Sequence, residues 1–303
     1  MARRSKLFAG LGRAGRWVRW TLRIALIVLL LDLIYLAWVW PDWRALAKGP
    51  IPRSNFMTAY EAQRETERWP RLKWQPVALA QIPRHVQRAV IVAEDGRFYS
   101  HGGFDFIAIQ EAWDYNWAHG RLAFGASTIS QQTAKNLFLT RARTPWRKWH
   151  EIFFTWGLER NLKKRRILEL YLNTAEFGRG IYGVEAAAQH YWGRSVAELG
   201  LSEAAQLAAT LPAPTKHNPK TGTRYFAKRT RKIMTLLTRE SAPFGAPVPA
   251  VPAPERDIPL PLDEPNGDDE AAVPADPWAP PTDKPGVRAM PLTSAGIMPG
   301  LFA

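Results

Sequence analysis

The sequence predicts an all-α domain behind a single N-terminal membrane helix, followed by a disordered C-terminal tail. Residues 24–40 are apolar apart from Asp32, and they are just long enough to cross a bilayer as a helix. From about residue 50 to 240 the apolar side chains recur at helical spacing, and no convincing alternating series predicts strands. The composition then changes, because 15 of the 25 prolines lie in 241–303. That segment has too few large apolar side chains to form a core, so it is predicted to be disordered.

The basic flank of the apolar run predicts its orientation. Seven Lys/Arg and no acid lie in residues 1–23, and the positive-inside rule places such a segment in the cytoplasm and exports the rest. A cleaved signal peptide is the alternative, since Ala45-Leu46-Ala47 has the small-x-small form of a cleavage site. The run is long for a signal peptide and rich in tryptophan near its end, which favours an uncleaved anchor. Asp32 is interpreted as a tolerated defect rather than as a contact with a partner helix.

Charge and cysteine content narrow the classes of function. The formal charge is +14, of which residues 24–240 carry +13, so the folded part is expected to bind nucleic acid, an acidic membrane or a phosphorylated substrate. The absence of cysteine excludes disulfides, thiolate metal sites and cysteine nucleophiles. The predicted division of the chain is a basic cytoplasmic segment 1–23, an anchor 24–40, a membrane-proximal linker 41–69, a main domain 70–240 and a tail 241–303.

Capping signals predict helix boundaries within the main domain. Thr144 followed by Pro145 is typical of an N-cap and a first helical position, and predicts a helix that continues to about Asn173. Ser202 predicts a second helix over 203–211, which the following proline ends.

A pair of acids marks the first stretch that could carry chemistry. Glu94 and Asp95 follow a helix-like apolar run and precede glycines, so they are predicted where a helix gives way to a loop. A carboxylate placed against apolar side chains such as Val92 and Phe98 tends to have a raised pKa, which suits a general base. Taken alone, an acid pair at a helix end is more often a solvated surface.

A polar run over 125–136 forms the second stretch. If Thr128 caps a helix, Gln131 and Lys135 are four residues apart and share a face. Gln132 lies beside them. Amides, an ammonium group and helix N-terminal N–H groups can together bind sugar hydroxyls and phosphate oxygens. An ordinary polar helix face is the alternative interpretation.

Basic residues dominate the third stretch. Arg147 and Glu151 are four residues apart on the predicted helix and can pair. The run from Lys163 to Arg166 covers most of the helix circumference, so some of its side chains must face inward or towards a ligand. A solvated basic face is the simpler interpretation of that run.

Four motifs occur in order between residues 94 and 173. The pattern E-D-x-x-F-x-x-H-x-G-x-D is met by Glu94, Asp95, Phe98, His101, Gly103 and Asp105. The patterns G-x-S-T-I-x-Q-Q-x-x-K-N, R-K-x-x-E and K-x-x-I-L-E-x-Y-L-N are met by 125–136, by Arg147, Lys148 and Glu151, and by 164–173. Together they resemble the motifs of the peptidoglycan glycosyltransferases (glycosyltransferase family 51), the polymerase module also found in bifunctional penicillin-binding proteins. The resemblance covers about residues 70–240, and it departs at His217, where the family usually has tyrosine.

The resemblance implies a lysozyme-like, two-lobed all-α fold and an inverting glycosyl transfer that extends a glycan strand from lipid II and releases lipid pyrophosphate. It implies that Glu94 is the catalytic base. Glu151 is expected to be the second catalytic residue, which holds Mg²⁺ or another divalent ion or else orients the neighbouring cations. The residues expected to bind the substrate or to order the site are Asp95, Ser127, Gln131, Gln132, Lys135, Asn136, Arg147, Lys148, Lys164 and Asn173.

The resemblance also implies a cellular location and partners. The expected location is the bacterial inner membrane, with a single span and a periplasmic catalytic domain. The expected partners are lipid II, the growing glycan strand and inner-membrane lipid, with cell-wall synthesis or division proteins as candidates and no nucleic acid. Phe106, Trp113, Trp117 and Phe124 would form the family's membrane-dipping segment, although their periodicity also fits a core.

Rival functions explain fewer of these features. A muramidase or lytic transglycosylase would share the fold but has no use for so many cations around the glutamates. A silent scaffold would not retain both glutamate motifs, and a nucleic-acid binder would not be exported. Lys220-Thr221-Gly222 spells a transpeptidase motif, but no serine has a lysine three residues later, so a monofunctional enzyme is expected.

Overall fold

The computed structural model describes residues 2–120 and 125–239, so the predicted tail 241–303 and Phe124 lie outside the described residues. The described part is mainly helical, which confirms the predicted all-α class. Its helices are α1 (Ala2–Trp38), α2 (Trp43–Lys48), α3 (Asn55–Arg64), α4 (Arg84–Glu94), α5 (Phe106–His119), α6 (Ile129–Phe138), α7 (Pro145–Asn161), α8 (Lys164–Thr174), α9 (Val184–Trp192), α10 (Leu201–Thr210) and α11 (Arg224–Arg239), with short 3₁₀ turns at Leu79–Gln81 and Val196–Glu198.

The N-terminal helix α1 contains the predicted anchor. Its stretch Trp17–Trp38 is long and apolar enough to cross a membrane, and only 11% of its most apolar window is buried. Asp32 and Leu36 are buried, and the Asp32 side chain bonds to α7. The interpretation of Asp32 as a tolerated defect was therefore wrong. Its contact is made with the chain's own main domain, which the sequence pattern could not indicate.

The segment that follows the anchor packs onto the main domain. Residues 41–69, predicted as a linker, contain α2 and α3, and their apolar side chains such as Trp43 and Met57 are buried. A Cβ added at Gly157 of α7 would lie 2.4 Å from the Trp43 ring. Only glycine therefore lets α2 approach α7 this closely.

Two helix groups form the core that holds the functional residues. In the first, α6 packs against both α7 and α8 through buried side chains such as Ile129 and Leu168. In the second, α4 packs against α10 and α11. The contact between α4 and α10 is close because α10 presents small side chains, among them Ala204 and Ala208. The C-terminal end of α4 is thereby held next to α11.

A small sheet, which the sequence analysis did not predict, lies beside these helices. Strand β1 (Lys73–Trp74) pairs in parallel with β3 (Ile181–Tyr182), which pairs antiparallel with β2 (Glu176–Gly178). Gly183 ends the hairpin with φ +82°, and a Cβ there would lie 2.9 Å from the Asn173 carbonyl oxygen. The strands have two or three residues each, too few for an alternating pattern to be recognised.

The long helix predicted from Thr144 to about Asn173 is in fact two helices. Thr144 does cap the first, since its side chain accepts a hydrogen bond from the Arg147 N–H. The chain becomes extended at Leu162 and Lys163, both with ψ 147°, and α8 begins at Lys164. Burial of Leu162 accompanies this break, a tertiary effect that helical periodicity does not report. The helix predicted from Ser202 begins two residues earlier than expected, with Glu203 accepting from the Gly200 N–H.

Candidate active site

Glu94 is the last residue of α4, at the helix-to-loop position that the sequence predicts. Its side chain is about 10% exposed. One carboxylate oxygen accepts from Arg229 Nη2 at 2.9 Å, and the other accepts from Gln132 Nε2 at 2.9 Å. Burial raises the pKa of the Glu94 carboxyl, and the Arg229 charge, the Gln132 hydrogen bond and the Lys135 charge partly oppose this. The group is thus a carboxylate with increased proton affinity, held by two fixed donors.

Helix α6 supplies the residues next to Glu94. Thr128 caps it as predicted, and its backbone N–H donates to Gln131 Oε1 at 3.1 Å. Gln132 links two elements, because it donates to Glu94 and its Oε1 accepts from the Tyr171 hydroxyl at 3.0 Å. Asn136 is buried on the same helix. Ser127 precedes the helix and is exposed.

Lys135 connects the two glutamates electrostatically. Burial lowers the pKa of its ammonium group, and the Glu151 and Glu94 carboxylates oppose that effect while Arg147 and Lys148 add to it. Its charge therefore interacts with both acids and with both cations of the third motif. Lys135 is therefore coupled electrostatically to both the Glu94 and the Glu151 clusters.

Glu151 lies on α7 in a cationic cluster. Its side chain is 3% exposed, and one carboxylate oxygen accepts from Arg147 Nη1 while the other accepts from Lys148 Nζ. The Arg147 pairing confirms the four-residue spacing predicted from the sequence. Lys148 keeps 46% of its side chain exposed, so it can reach a bound anion. The cluster has one acid for two cations and is suited to bind negative charge.

Three of the predicted site residues form internal bonds that order the site. Asp95 accepts from the Ile129 N–H at 3.0 Å and pairs with His101 Nε2 at 2.8 Å. Asn173 is fully buried, and its amide bonds both backbone groups of Val77. The substrate contact predicted for Asn173 does not fit this burial. Gln131 closes the α6 capping box and is 5% exposed.

Lys164 pairs with an acid other than Glu151. It pairs with Glu159 at 2.7 Å, and its ammonium group lies 4.5 Å from the centre of the Phe98 ring. Glu159 also accepts from the Ser130 hydroxyl. Glu159 pairs with Lys164 and not with Lys163, four residues further along, because the chain breaks helical geometry at Lys163.

Glu151, the expected metal ligand, does not fit a bound divalent cation. Both oxygens of Glu151 already accept from cationic groups, and Lys135 adds further positive charge. One other cluster, of Asp95, His101 and Asp105, has ligand atoms within 4.8 Å of one another. Asp105 in this cluster already accepts hydrogen bonds from Arg97 and from the Ala108 N–H. Asp95 likewise accepts from the Ile129 N–H. The positive charges around Glu151 fit a phosphate group, and they oppose the binding of Mg²⁺.

Helix α5 carries three of the aromatic residues for which the sequence allowed two interpretations, a membrane-contacting segment or part of the core. Phe106, Trp113 and Trp117 are 74%, 66% and 80% exposed, so they are not core residues. Trp113 stacks on Trp117 with a centroid distance of 6.4 Å. An exposed aromatic face of this kind is typical of a surface that contacts lipid or a partner.

Arg229 contacts the candidate base, although no sequence motif predicts it. It lies on α11 and reaches Glu94 across 135 positions of the chain, while the same Nη2 donates to the Ala93 carbonyl at 3.1 Å. Basic residues recur along α11. Nothing in their spacing distinguishes the one that faces α4.

Comparison with known proteins identifies the family that carries this arrangement. The family model described as Transglycosylase matches residues 62–238. The chain belongs to the transglycosylase family. It is 41% identical over 228 residues to the biosynthetic peptidoglycan transglycosylase of Nitrosospira multiformis. The aligned region covers 74% of this chain and 98% of that relative.

Two further members of the transglycosylase family are similar to this chain over most of their length. The biosynthetic peptidoglycan transglycosylase of Methylobacillus flagellatus is 41% identical over 219 residues, or 72% of this chain and 96% of the relative. The biosynthetic peptidoglycan transglycosylase of Laribacter hongkongensis is 37% identical over 227 residues, which cover 75% of this chain and 100% of the relative. The match to the transglycosylase model includes every predicted site residue from Glu94 to Asn173, and it also includes Arg229.

Proposed function

We propose that this chain is a peptidoglycan glycosyltransferase that polymerises lipid II into glycan strands. The observation that carries the proposal is Glu94, a largely buried carboxylate whose oxygens accept from Arg229 and Gln132 and whose pKa is raised by burial. The Glu151 cluster supplies two cations beside one acid. A base and an anion-binding cluster are the two parts that this transfer needs. The names of the relatives support the substrate class.

Glu94 acts as the general base of the transfer. A Glu94 oxygen takes the proton of the 4-hydroxyl of the incoming disaccharide while that hydroxyl oxygen forms a bond to the anomeric carbon of the strand. The bond from the anomeric carbon to pyrophosphate breaks, and its electron pair leaves with the pyrophosphate. Attack from the side opposite the leaving group inverts the configuration. The raised pKa of Glu94 favours acceptance of the proton.

The cations stabilise the departing pyrophosphate. Pyrophosphate is already a weak base, so it needs no general acid of the kind that glycoside hydrolysis uses. Lys135, Arg147 and Lys148 supply the positive charge instead. Glu151 holds Arg147 and Lys148 in place through its two oxygens. Of the two roles that the family resemblance implies for Glu151, metal binding and orientation of the neighbouring cations, this is the second.

A divalent cation stays a prediction of the family resemblance. The proposed transfer does not depend on one, because both oxygens of Glu151 already accept from cationic groups. Strand synthesis after treatment with EDTA, with and without added Mg²⁺, tests the expectation.

We also propose a single inner-membrane span with a cytoplasmic N-terminus and a periplasmic catalytic domain. The basic flank 1–23 and the apolar stretch Trp17–Trp38 support this topology. The exposed aromatic face of α5 supports contact with the same bilayer, where a lipid-linked substrate resides. No transpeptidase activity is expected, and cell-wall synthesis or division proteins are the candidate protein partners.

The direct test is incubation of the full-length protein with labelled lipid II. Strand formation is expected, whereas cleavage of preformed strands would favour a muramidase and neither activity would favour a scaffold. Glu94→Gln keeps the shape but cannot take the proton, so turnover should fall at least about 10²-fold, the usual contribution of a general base. Glu198→Gln, on an exposed 3₁₀ turn, is the matched control and should remain active. Near-normal synthesis by folded Glu94→Gln would refute the assignment of the base.

A further inference from the structure

A single acid on the anchor helix contacts the catalytic domain beside the Glu151 cluster. Asp32 is 5% exposed, while the neighbouring apolar side chains of α1 are mostly exposed. One of its oxygens lies 2.6 Å from His150 Nε2, and the other accepts from Trp149 Nε1 at 2.9 Å. Both carboxylate oxygens are therefore used, and both partners are consecutive residues of α7.

The surroundings show that this contact excludes water. The His150 side chain is 9% exposed and has two aromatic neighbours, with centroid distances of 5.8 Å to Tyr35 and 5.6 Å to Trp146. Leu36, one helical turn after Asp32, is buried as well. The contact thus combines two hydrogen bonds with an apolar and aromatic surround, in which such bonds are stronger than in water.

An acid in an apolar anchor selects one docked arrangement. A carboxylate that faces lipid is strongly disfavoured, so Asp32 is stable in the bilayer only when it meets its partners on α7. A rotation of α1 by one residue turns the side chain by about 100° and removes both hydrogen bonds. Asp32 therefore fixes the rotation and the axial position of the anchor relative to α7.

The docked arrangement determines the level of α7 relative to the bilayer. Asp32 lies six residues before the end of α1 at Trp38, which is about 9 Å along the helix axis. The start of α7 consequently lies at the level of the outer part of the apolar span. The outer face of α7 fits this level, since it exposes the apolar side chains Trp146, Ile152 and Trp156.

We propose that Asp32 is a positioning residue that holds the Glu151 cluster at a fixed level against the membrane anchor. His150 directly precedes Glu151, and Arg147 and Lys148 lie within one turn of it. A lipid-linked pyrophosphate stays attached to the membrane, so cations held at a fixed level beside the anchor meet it without further movement of the domain. The role in substrate encounter rests on the proposed function, whereas the docking of α1 on α7 does not.

The test combines a depth measurement with kinetics in lipid vesicles. The chain has no cysteine, so Ile152→Cys, at a position 42% exposed on α7, gives a single labelling site for a fluorophore. Lipids brominated at different depths then report the position of the label. Asp32→Leu should move the label towards water and raise KM for lipid II about tenfold, the scale of one or two lost hydrogen bonds, with kcat within about twofold.

Two control variants separate positioning from other effects. Asp32→Asn keeps one acceptor for Trp149 and should recover most of the depth and KM. The double variant Asp32→Leu with Leu33→Asp keeps the composition but turns the carboxylate towards lipid, because Leu33 is 41% exposed. It should not recover either quantity.

Each result decides between alternatives. Unchanged label depth in Asp32→Leu overturns the docking, and a shifted depth with unchanged KM overturns the positioning role. A fall in kcat at unchanged KM would mean that the active site itself is distorted, which also contradicts positioning. If the wild-type protein makes no strands, the proposed function fails, and the label depth still decides whether Asp32 docks the anchor.

Discussion

Arg229 controls the proton affinity of Glu94, so its removal should change how activity depends on pH. Its side chain is 15% exposed, and Nη2 donates to Glu94 at 2.9 Å. The Arg229 charge lowers the pKa of Glu94, which burial raises. In Arg229→Met this opposition is lost, so the pKa of Glu94 should rise further. Since only the ionised carboxylate acts as a base, the acid limb of the pH–rate profile should move to higher pH.

The magnitude follows from the bond that is lost. A hydrogen bond to a charged group contributes about 1.5–3 kcal/mol, and about 1.4 kcal/mol corresponds to a tenfold change. Turnover below neutral pH should therefore fall about 10- to 100-fold in Arg229→Met, and the deficit should narrow as the pH rises. Arg229→Lys keeps the positive charge and should lose much less.

The assay is initial-rate strand synthesis from labelled lipid II between pH 5 and 9, with the melting temperature as a check on folding. Arg231→Met, at an exposed position of the same helix, is the control for loss of a positive charge from α11. The reasoning is refuted if Arg229→Met is folded and its acid limb coincides with that of the wild type.

Three further predictions concern other parts of the chain. Glu151→Gln should lower turnover about tenfold or more, because Arg147 and Lys148 lose the carboxylate that holds them, and unchanged turnover in the same assay contradicts that role. Removal of residues 241–303 should leave turnover in detergent and the melting temperature nearly unchanged, as their composition predicts. A reporter active only in the periplasm, fused after residue 240, should be active. A stable but silent fusion contradicts the proposed topology.

The sequence determined the features that depend on short stretches of chain. Helix caps such as Thr128 and Thr144 and the helix-end position of Glu94 follow from residues a few positions apart, so local pattern was sufficient. The pairing of Arg147 with Glu151 is of the same kind. The all-α class also follows from the periodicity of the apolar side chains.

Other features were decided by packing between distant segments. Arg229 meets Glu94 from 135 positions away, and His150 meets Asp32 from 118 positions away. The break between α7 and α8 places Leu162 in the core although the sequence continues in helical period. Periodicity states which face of a helix is buried but not which helix it meets. The partner of each buried charge therefore became visible only once the helices were packed.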